Sequence, residues 1–175
     1  MRLTGNQVTL RAMEPSDVDL LYKWENDTEL WNCSSATVPY SRYDLQNYVN
    51  HSGNLFETGQ LRLMIDLVDS HTTIGCIDFY DFQPRFLRGE VAFLIDRPYQ
   101  RKGYASEALN LLKDYLFNFL HIHQVYAYVL QDNTTSLGVC HNAGFEEKVL
   151  LSDWFCDDKG WHDAYLLTCK KEEQN

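Results

Sequence analysis

The turn at residues 100–106 combines a glycine with two cations at the junction of a predicted strand and a predicted helix. The strand is the apolar run 90–96, and apolar residues recur at helical spacing over residues 106–120. A glycine-containing turn at such a junction directs backbone N–H groups, and the positive end of the helix dipole, toward one point. Gly103 also allows the backbone to approach an anion closely. The segment therefore predicts a phosphate-binding turn.

The elements that position this turn alternate between strands and helices. Strands are predicted over residues 7–13, 61–68, 73–82, 90–96, 124–130, 149–155 and 164–170. Helices are predicted after a capping Ser16 or Asp17, after a capping Ser41, over residues 106–120 and, as a short piece, after Asn133. These elements predict a mixed α/β sheet with helices on both faces.

The second half of the chain carries an ordered set of motifs. It runs strand, Q-x-x-G-x-A, helix, strand, N-x-x-S, helix and A-G-F, from Gln100 to Phe145. This order resembles the acetyl-coenzyme A core of the GNAT superfamily of N-acetyltransferases. The opening Val8–Ala12 and the acidic helix after it resemble the branch that contains ribosomal-protein N-terminal acetyltransferases and spermidine/spermine N-acetyltransferases. The resemblance covers residues 7–170.

The resemblance implies an α/β fold with a mixed, largely antiparallel central sheet, helices on both faces and a splayed strand pair that holds acetyl-CoA. Acetyl-CoA would be the co-substrate, and a backbone N–H on the strand before the turn would polarise its thioester carbonyl. The matching strand positions are Phe93, Leu94 and Ile95. The matching pyrophosphate-binding positions are Gln100, Arg101, Lys102, Gly103, Tyr104, Ala105 and Ser106. Asn133 resembles the asparagine that bonds the pantetheine arm, and a helix cap with Ser136 is a compatible second role.

The sequence departs from the family at its proton donor. Many members carry a tyrosine at the position that matches Cys140. An unperturbed thiol has a pKa of about 8.5 and is mostly protonated at neutral pH, so Cys140 could donate to the leaving thiolate. The alternative is that Cys140 is buried packing and that water donates the proton. A covalent acetyl-cysteine is disfavoured, since the adjacent His141 does not face Cys140 on a helix.

Three carboxylates are candidates for deprotonating the acceptor amine. Glu90 ranks first because the resemblance puts it near the substrate end of the splayed strands, and Asp78 ranks second. Asp78 and Asp81 point to opposite faces of a regular strand, so at most one of them faces a given cleft. The competing interpretation of Glu90 is an ion pair with Arg85 or Arg88.

Acidic and aromatic residues near the predicted N-terminal helices could bind a cationic acceptor. The acidic residues are Glu25, Asp27, Glu29 and Asp44, for which a solvated helix face is the favoured explanation. The aromatic residues are Trp24, Trp31, Tyr40 and Trp154, for which core packing is the default.

Composition limits the classes of function. A chain of 175 residues predicts a single domain, 1–175, and the net charge of -10 with a pI near 4.9 argues against a nucleic-acid partner. The five scattered cysteines indicate neither disulfides nor a zinc site, and His121 and His123 lack partners, so no metal is expected. No apolar run is long enough for a membrane span or a signal peptide, which predicts a cytoplasmic protein without a membrane partner. A homo-oligomer built on residues 149–165 is conceivable.

The residues and the resemblance together predict an acetyl-CoA-dependent N-acetyltransferase in which a bound primary amine attacks the thioester directly. The favoured acceptor is a small cationic amine, a polyamine such as spermidine or spermine. The first alternative is a peptide N-terminus, as in the ribosomal-protein type of N-terminal acetyltransferase. The second is a sensor module that binds acetyl-CoA without turnover, an interpretation that rests on the missing tyrosine.

Overall fold

A computed structural model describes residues 2–28 and 38–171, whose strands form one eight-stranded sheet. The strands are β1 (Arg2–Thr4), β2 (Val8–Ala12), β3 (Leu61–Leu67), β4 (Thr73–Gln83), β5 (Arg88–Ile95), β6 (Gln124–Leu130), β7 (Glu146–Asp157) and β8 (Gly160–Lys170). Their order is β1-β2-β3-β4-β5-β6-β8-β7. Every neighbouring pair is antiparallel except β5 with β6, which is parallel.

The helices cover both faces of this sheet. They are α1 (Val18–Glu25), α2 (Arg42–His51), α3 (Leu55–Thr58), α4 (Tyr104–Asp114), which continues as a π-helical turn over Tyr115–Phe119, and α5 (Thr134–Asn142). Helices α1 and α2 pack with Met64 and Cys76 in one core, whereas α4 and α5 pack with Ile77 and Phe79 in the other. The predicted fold class, a mixed and largely antiparallel sheet with helices on both faces, is confirmed.

Local hydrogen bonds precede the first two helices, but a side chain caps only α2. Ser41 accepts a hydrogen bond from the Asp44 backbone N–H at 3.1 Å, and the Asp44 carboxylate bonds back, which makes the predicted cap a capping box. Asp17 stands at the N-cap of α1, but its carboxylate accepts from the Glu14 N–H and from Arg11 instead of capping that helix. A short 3₁₀ turn, Pro15–Asp17, therefore precedes α1.

Some boundaries differ from the predicted ones. β1 and α3 are short elements that carry no periodic pattern, and the sequence does not predict them. α4 begins at Tyr104 instead of residue 106, because Gly103 at φ +85° turns the chain directly into the helix. β7 and β8 form one hairpin, in which β7 is longer than predicted at both ends and β8 begins at Gly160 instead of residue 164.

The sheet opens between β5 and β6. Their ladder contains only the pairs Arg88↔Gln124, Gly89↔Val125 and Glu90↔Tyr126. Beyond the last pair the two strands diverge, although β5 continues to Ile95 and β6 to Leu130. This divergence creates the cleft that contains most of the predicted site. Within the described residues, no helix is long and apolar enough to span a membrane.

Candidate active site

The cleft between the diverging strands has a volume of about 1090 Å³. Its walls come from the open part of β5 and β6, from the turn before α4, from α5, and from residues of α1, α2 and β7. On β4, Cys76 belongs to the core under α1 and α2, while Ile77 belongs to the core under α4. Because strand side chains alternate, Asp78 and Tyr80 share the α1–α2 face, and Cys140 of α5 lies on the α4 side. The cleft thus connects the two faces of the sheet.

The backbone N–H groups of β5 turn toward this cleft at alternate residues. The Asp96 N–H donates to the Ile74 carbonyl at 2.7 Å, which fixes the phase of the β4–β5 ladder. Leu94, two residues earlier and opposite Cys76, therefore turns its backbone groups toward β4. The backbone groups of Phe93 and Ile95 point the other way, toward the side of β6, which has diverged from β5 at this level. Of the three predicted positions, these two can offer an N–H to a ligand in the cleft.

Gln100 links the end of β5 to the predicted phosphate-binding turn. Its side-chain Nε2 donates to the Ile95 carbonyl at 2.8 Å, so the strand and the turn are held together. Gly103 lies at φ +85°, and the space where a Cβ would stand is empty to 4 Å. It also forms the N-cap of α4 without a side-chain hydrogen bond. The first N–H groups of the helix are therefore left for a ligand, as an anion site requires.

The other predicted residues of the turn divide into two groups. Arg101, Tyr104 and Ala105 line the cleft together with Gln100. Lys102 stands with its Nζ 5.6 Å from the centre of the Tyr99 ring, and Ser106 lies in the first turn of α4. Arg101 adopts a positive φ of 62°, which bends the backbone around this point.

Asn133 and Ser136 meet at the start of α5, on the cleft wall. The Asn133 Oδ1 accepts from the Ser136 N–H at 3.0 Å, so the predicted helix cap is present. Among the described residues, the Asn133 amide nitrogen has no hydrogen-bond partner, and both residues line the cleft. The same asparagine can therefore cap the helix and donate to a ligand.

Cys140 is wholly buried on the α5 side of the cleft. Burial raises the pKa of its thiol to about 11, so the group is protonated at neutral pH. A thiolate leaving group has a pKa of about 8.5, so complete proton transfer from Cys140 costs about 3 kcal/mol. The chemistry that this thiol can supply at low cost is a hydrogen bond.

Glu90 stands where the sheet begins to open. It forms the last pair with Tyr126 on β6 and lies opposite Tyr80 on β4. The Tyr80 hydroxyl donates to its Oε1 at 2.5 Å. Burial raises the pKa of Glu90 above its ordinary value, and the Tyr80 hydrogen bond opposes that rise. The predicted alternative, an ion pair of its carboxylate with Arg85 or Arg88, is not formed; these two guanidinium groups lie over the Phe86 ring.

Asp78 lines the cleft but is held in an ion pair. Arg62 donates to it through Nε at 2.6 Å and Nη2 at 3.0 Å, and through Nη1 to Glu25. Partial burial acts to lower the pKa of the Arg62 guanidinium, but the charge of Asp78 and its hydrogen bonds outweigh this and raise that pKa well above its ordinary value. Asp81 lies at a bulge of β4 with φ 48°, outside the regular alternation, and accepts from the Tyr126 hydroxyl at 2.6 Å.

Acidic and aromatic side chains collect on the α1–α2 side of the cleft. Asp44, Glu25, Trp24 and Tyr40 line it, whereas Asp27 pairs with Arg97. Trp154 reaches the cleft from a bulge in β7 and packs on Tyr128, with ring centroids 5.2 Å apart. Glu29 and Trp31 lie outside the described residues.

Sequence reasoning missed several residues that shape this side. They are Tyr48, Arg62, Tyr80 and Tyr128. The alternation of Cys76, Asp78 and Tyr80 along β4 is the signal that could have identified Tyr80, because it predicts that the three share one face. No comparable local signal marks Arg62.

Free thiols and potential metal ligands do not form a second site in the part of the chain that is described. Cys76, Cys140, Cys156 and Cys169 are free, and Cys33 lies outside the described residues. No group of three or more His, Cys, Asp or Glu side chains is arranged to hold a metal ion within residues 2–28 and 38–171.

Comparison with known proteins agrees with the fold. The sequence matches the acetyltransferase (GNAT) domain over residues 7–146. It is 27% identical over 172 residues to an uncharacterised N-acetyltransferase, p20, of Bacillus licheniformis, covering 98% of this chain and 97% of that protein. It is 24% identical over 170 residues to the spermidine N(1)-acetyltransferase of Vibrio cholerae, covering 95% and 96%. The ribosomal-protein-S5-alanine acetyltransferase of Vibrio fischeri has the same fold, with a TM-score of 0.86 at 17% identity over 100% and 99% of the two chains.

Proposed function

This chain belongs to the GNAT acetyltransferase family, and from that premise we propose that its acceptor is a polyamine such as spermidine or spermine. It is an acyltransferase that uses acetyl-CoA as its co-substrate. A relative that is 24% identical along almost the whole chain is a spermidine N(1)-acetyltransferase, which supports the proposal without deciding it.

The observation that carries the proposal is the charge of the α1–α2 side of the cleft. Four carboxylates line it: Glu25, Asp44, Asp78 and Glu90. Arg62 balances part of this charge through Glu25 and Asp78, and Glu90 stays beside a neutral tyrosine. The carboxylates on this side outnumber the arginine, and the resulting negative charge favours an acceptor that carries several positive charges.

The chain's own groups fit acetyl-CoA on the other side. The pyrophosphate would lie at the uncapped N-terminus of α4, where Gly103 leaves open space and Arg101 adds charge. Asn133 would donate to the pantetheine arm. Acetyl-CoA supplies a thioester whose carbonyl carbon the amine attacks. The N–H of Phe93 or Ile95 would stabilise the negative charge that develops on the carbonyl oxygen.

Glu90 would accept the proton of the amine. A primary ammonium has a pKa of about 10.4 and is almost wholly charged at neutral pH, so a base must act before it can attack. Glu90 lies at the opening of the sheet, and its half-buried carboxylate is a stronger base than an exposed one because partial burial raises its pKa. Asp78 is the weaker candidate, because Arg62 stabilises its ionised form.

Cys140 would donate a hydrogen bond to the leaving sulfur. It lies on the cofactor side of the cleft in its protonated form. Because complete proton transfer from it is unfavourable, the proton that neutralises the thiolate would come from water or from the nitrogen of the tetrahedral intermediate, which becomes positively charged when the neutral amine adds to the carbonyl carbon. Cys140 is therefore a weaker donor than the tyrosine that many family members carry at this position.

The alternative acceptor is a peptide N-terminus, as in the ribosomal-protein type. The fold is shared with one such enzyme at 17% identity, which supports the architecture and leaves the acceptor open. The family and the relatives are acetyltransferases, which argues against a sensor module without turnover. A cytoplasmic location and the absence of nucleic-acid and membrane partners stay predictions from the sequence, as does a homo-oligomer.

The test is an acceptor screen with saturating acetyl-CoA. CoA release is measured with spermine, with spermidine and with peptides whose N-termini are alanine or serine, and the products are identified by mass spectrometry. We expect a singly acetylated polyamine and little acetylated peptide. Rapid acetylation of a peptide, with polyamines inert, would overturn the polyamine proposal and select the N-terminal alternative.

A further inference from the structure

We propose that Tyr80 is a positioning residue for the reaction, and that its hydroxyl orients the Glu90 carboxylate and keeps it ionised. The inference rests on the proposed role of Glu90 as the base. Tyr80 would act through the Glu90 carboxylate alone and would not take part in the reaction itself.

The placement of the pair follows from the register of three strands. Tyr80, Glu90 and Tyr126 stand directly opposite one another on β4, β5 and β6. Side chains that are directly opposite on neighbouring strands project from the same face of a sheet. The row that they form is the last complete one before β5 and β6 diverge. A base at this point is fixed by paired strands on both sides and still borders the cleft.

The hydrogen bond itself has the geometry of a strong interaction. The Tyr80 hydroxyl lies 2.5 Å from Oε1 of Glu90, within the range of charge-assisted O–H···O⁻ bonds. The Tyr80 side chain is half-buried, and burial is the largest cause of the raised pKa of its phenol, which therefore remains a donor at every relevant pH. A buried donor of this kind fixes one carboxylate oxygen and leaves Oε2 for the amine.

The other groups around Glu90 do not provide the same support. Asp81 on β4 is a second negative charge, and it adds to the rise in the pKa of Glu90 that burial causes. Tyr126 on β6 donates to Asp81 instead of to Glu90. Tyr128, two residues further along β6, lies close enough for the Glu90 charge to raise its pKa, and Asp78 lies near Tyr80. Within residues 2–28 and 38–171, Tyr80 is the donor that Glu90 accepts from.

The sign of the effect follows from these contacts. Tyr80 stabilises the ionised form, so its removal raises the pKa of Glu90 further. Activity requires the ionised form and is lost as the pH falls through that pKa. The acidic limb of the profile of kcat/KM against pH therefore moves to higher pH in Tyr80→Phe. Loss of one charge-assisted hydrogen bond predicts a shift of about one pH unit, and about tenfold lower kcat/KM on that limb.

The experiment compares the full-length protein with Tyr80→Phe and with Tyr126→Phe, whose lost hydroxyl contacts Asp81. Values of kcat/KM with spermine and acetyl-CoA are measured across the acidic limb. The pKa of Glu90 is measured independently by carboxyl-carbon NMR, with Glu90→Gln used to assign its signal. We expect both quantities to shift upward in Tyr80→Phe, and neither to shift in Tyr126→Phe.

The NMR measurement needs no acceptor, so the inference and the proposed function can fail separately. An unchanged pKa of Glu90 in Tyr80→Phe overturns the positioning role, whatever the activity. An inert spermine with a shifted pKa rejects the polyamine and keeps the orienting hydrogen bond. A fully active Glu90→Gln rejects Glu90 as the base, and with it the role of Tyr80 in the reaction.

Discussion

Arg62 holds the Asp78 carboxylate in a two-pronged ion pair, with 2.6 Å from Nε to Oδ1 and 3.0 Å from Nη2 to Oδ2. The third nitrogen, Nη1, donates to Glu25 of α1. The guanidinium group therefore links β3, β4 and α1 on the α1–α2 side of the cleft. This arrangement separates the two strand carboxylates that the sequence ranks as bases, because Asp78 is bound to a cation and Glu90 to a neutral hydroxyl.

Replacing Arg62 by Met should destabilise the protein by about 3–5 kcal/mol, since two partly buried carboxylates lose their cation. The free energy of unfolding is measured by urea titration. Arg42→Met is the control, because Arg42 forms an exposed pair with Asp19 and lies over the Tyr22 ring, and we expect a loss of about 1 kcal/mol or less there. Equal stability of the Arg62 variant and the parent protein would contradict a structural role for the ion pairs of Arg62 with Glu25 and Asp78.

Cys140→Ala should lower kcat by about tenfold or less, the value of one hydrogen bond to a developing charge. Cys140→Tyr, which restores the family's residue, should preserve or raise turnover if the buried site accommodates the ring. Cys140→Ser keeps a donor of similar size and should lie between the parent and the alanine variant. These values are obtained from steady-state kinetics, with urea unfolding as a check on folding. Unchanged kcat in all three variants would show that the thiol only fills space.

The sequence could predict those features that depend on neighbouring residues. The Ser41 cap, the strand Gln124–Leu130 and the glycine turn before α4 are local, and each has a periodic or capping signal. The hydrogen bond between Tyr80 and Glu90 depends on the register of β4 with β5, which the pattern of either strand alone does not fix.

The long-range ion pairs could not be predicted from the sequence either. Arg62 meets Glu25 and Asp78 across 37 and 16 positions of the chain, and no spacing rule links them. Trp154 reaches the cleft because β7 bulges between Leu151 and Phe155, an irregularity without a local signal. Both features depend on how the strands are arranged once the sheet has formed.

Gly103→Ala should weaken acetyl-CoA binding while costing about 1 kcal/mol of stability, the strain of a side chain at positive φ. Gly59→Ala is the matched control. Gly59 lies at φ +72° with the same open space around its Cβ position, but it ends α3 instead of beginning the phosphate-binding turn. We expect similar losses of stability in the two variants and a KM for acetyl-CoA raised about tenfold only at Gly103. Equal values of KM would remove Gly103 from the cofactor site.

Trp154→Ala should raise the KM for spermine without changing the KM for acetyl-CoA. The indole lines the cleft and packs on Tyr128. Because the Trp154 side chain is 46% exposed, its ring face is available to an alkyl-ammonium group of the acceptor. A cation–π contact at a partly exposed site contributes about 0.5–1 kcal/mol, which corresponds to a two- to fivefold change in KM. Trp161→Ala is the control. Trp161 lies on β8 opposite Cys156 of β7, is 67% exposed and is not part of the cleft wall. Equal effects of the two substitutions would indicate general loss of hydrophobic surface, whereas an effect confined to Trp154 would assign its ring to the acceptor.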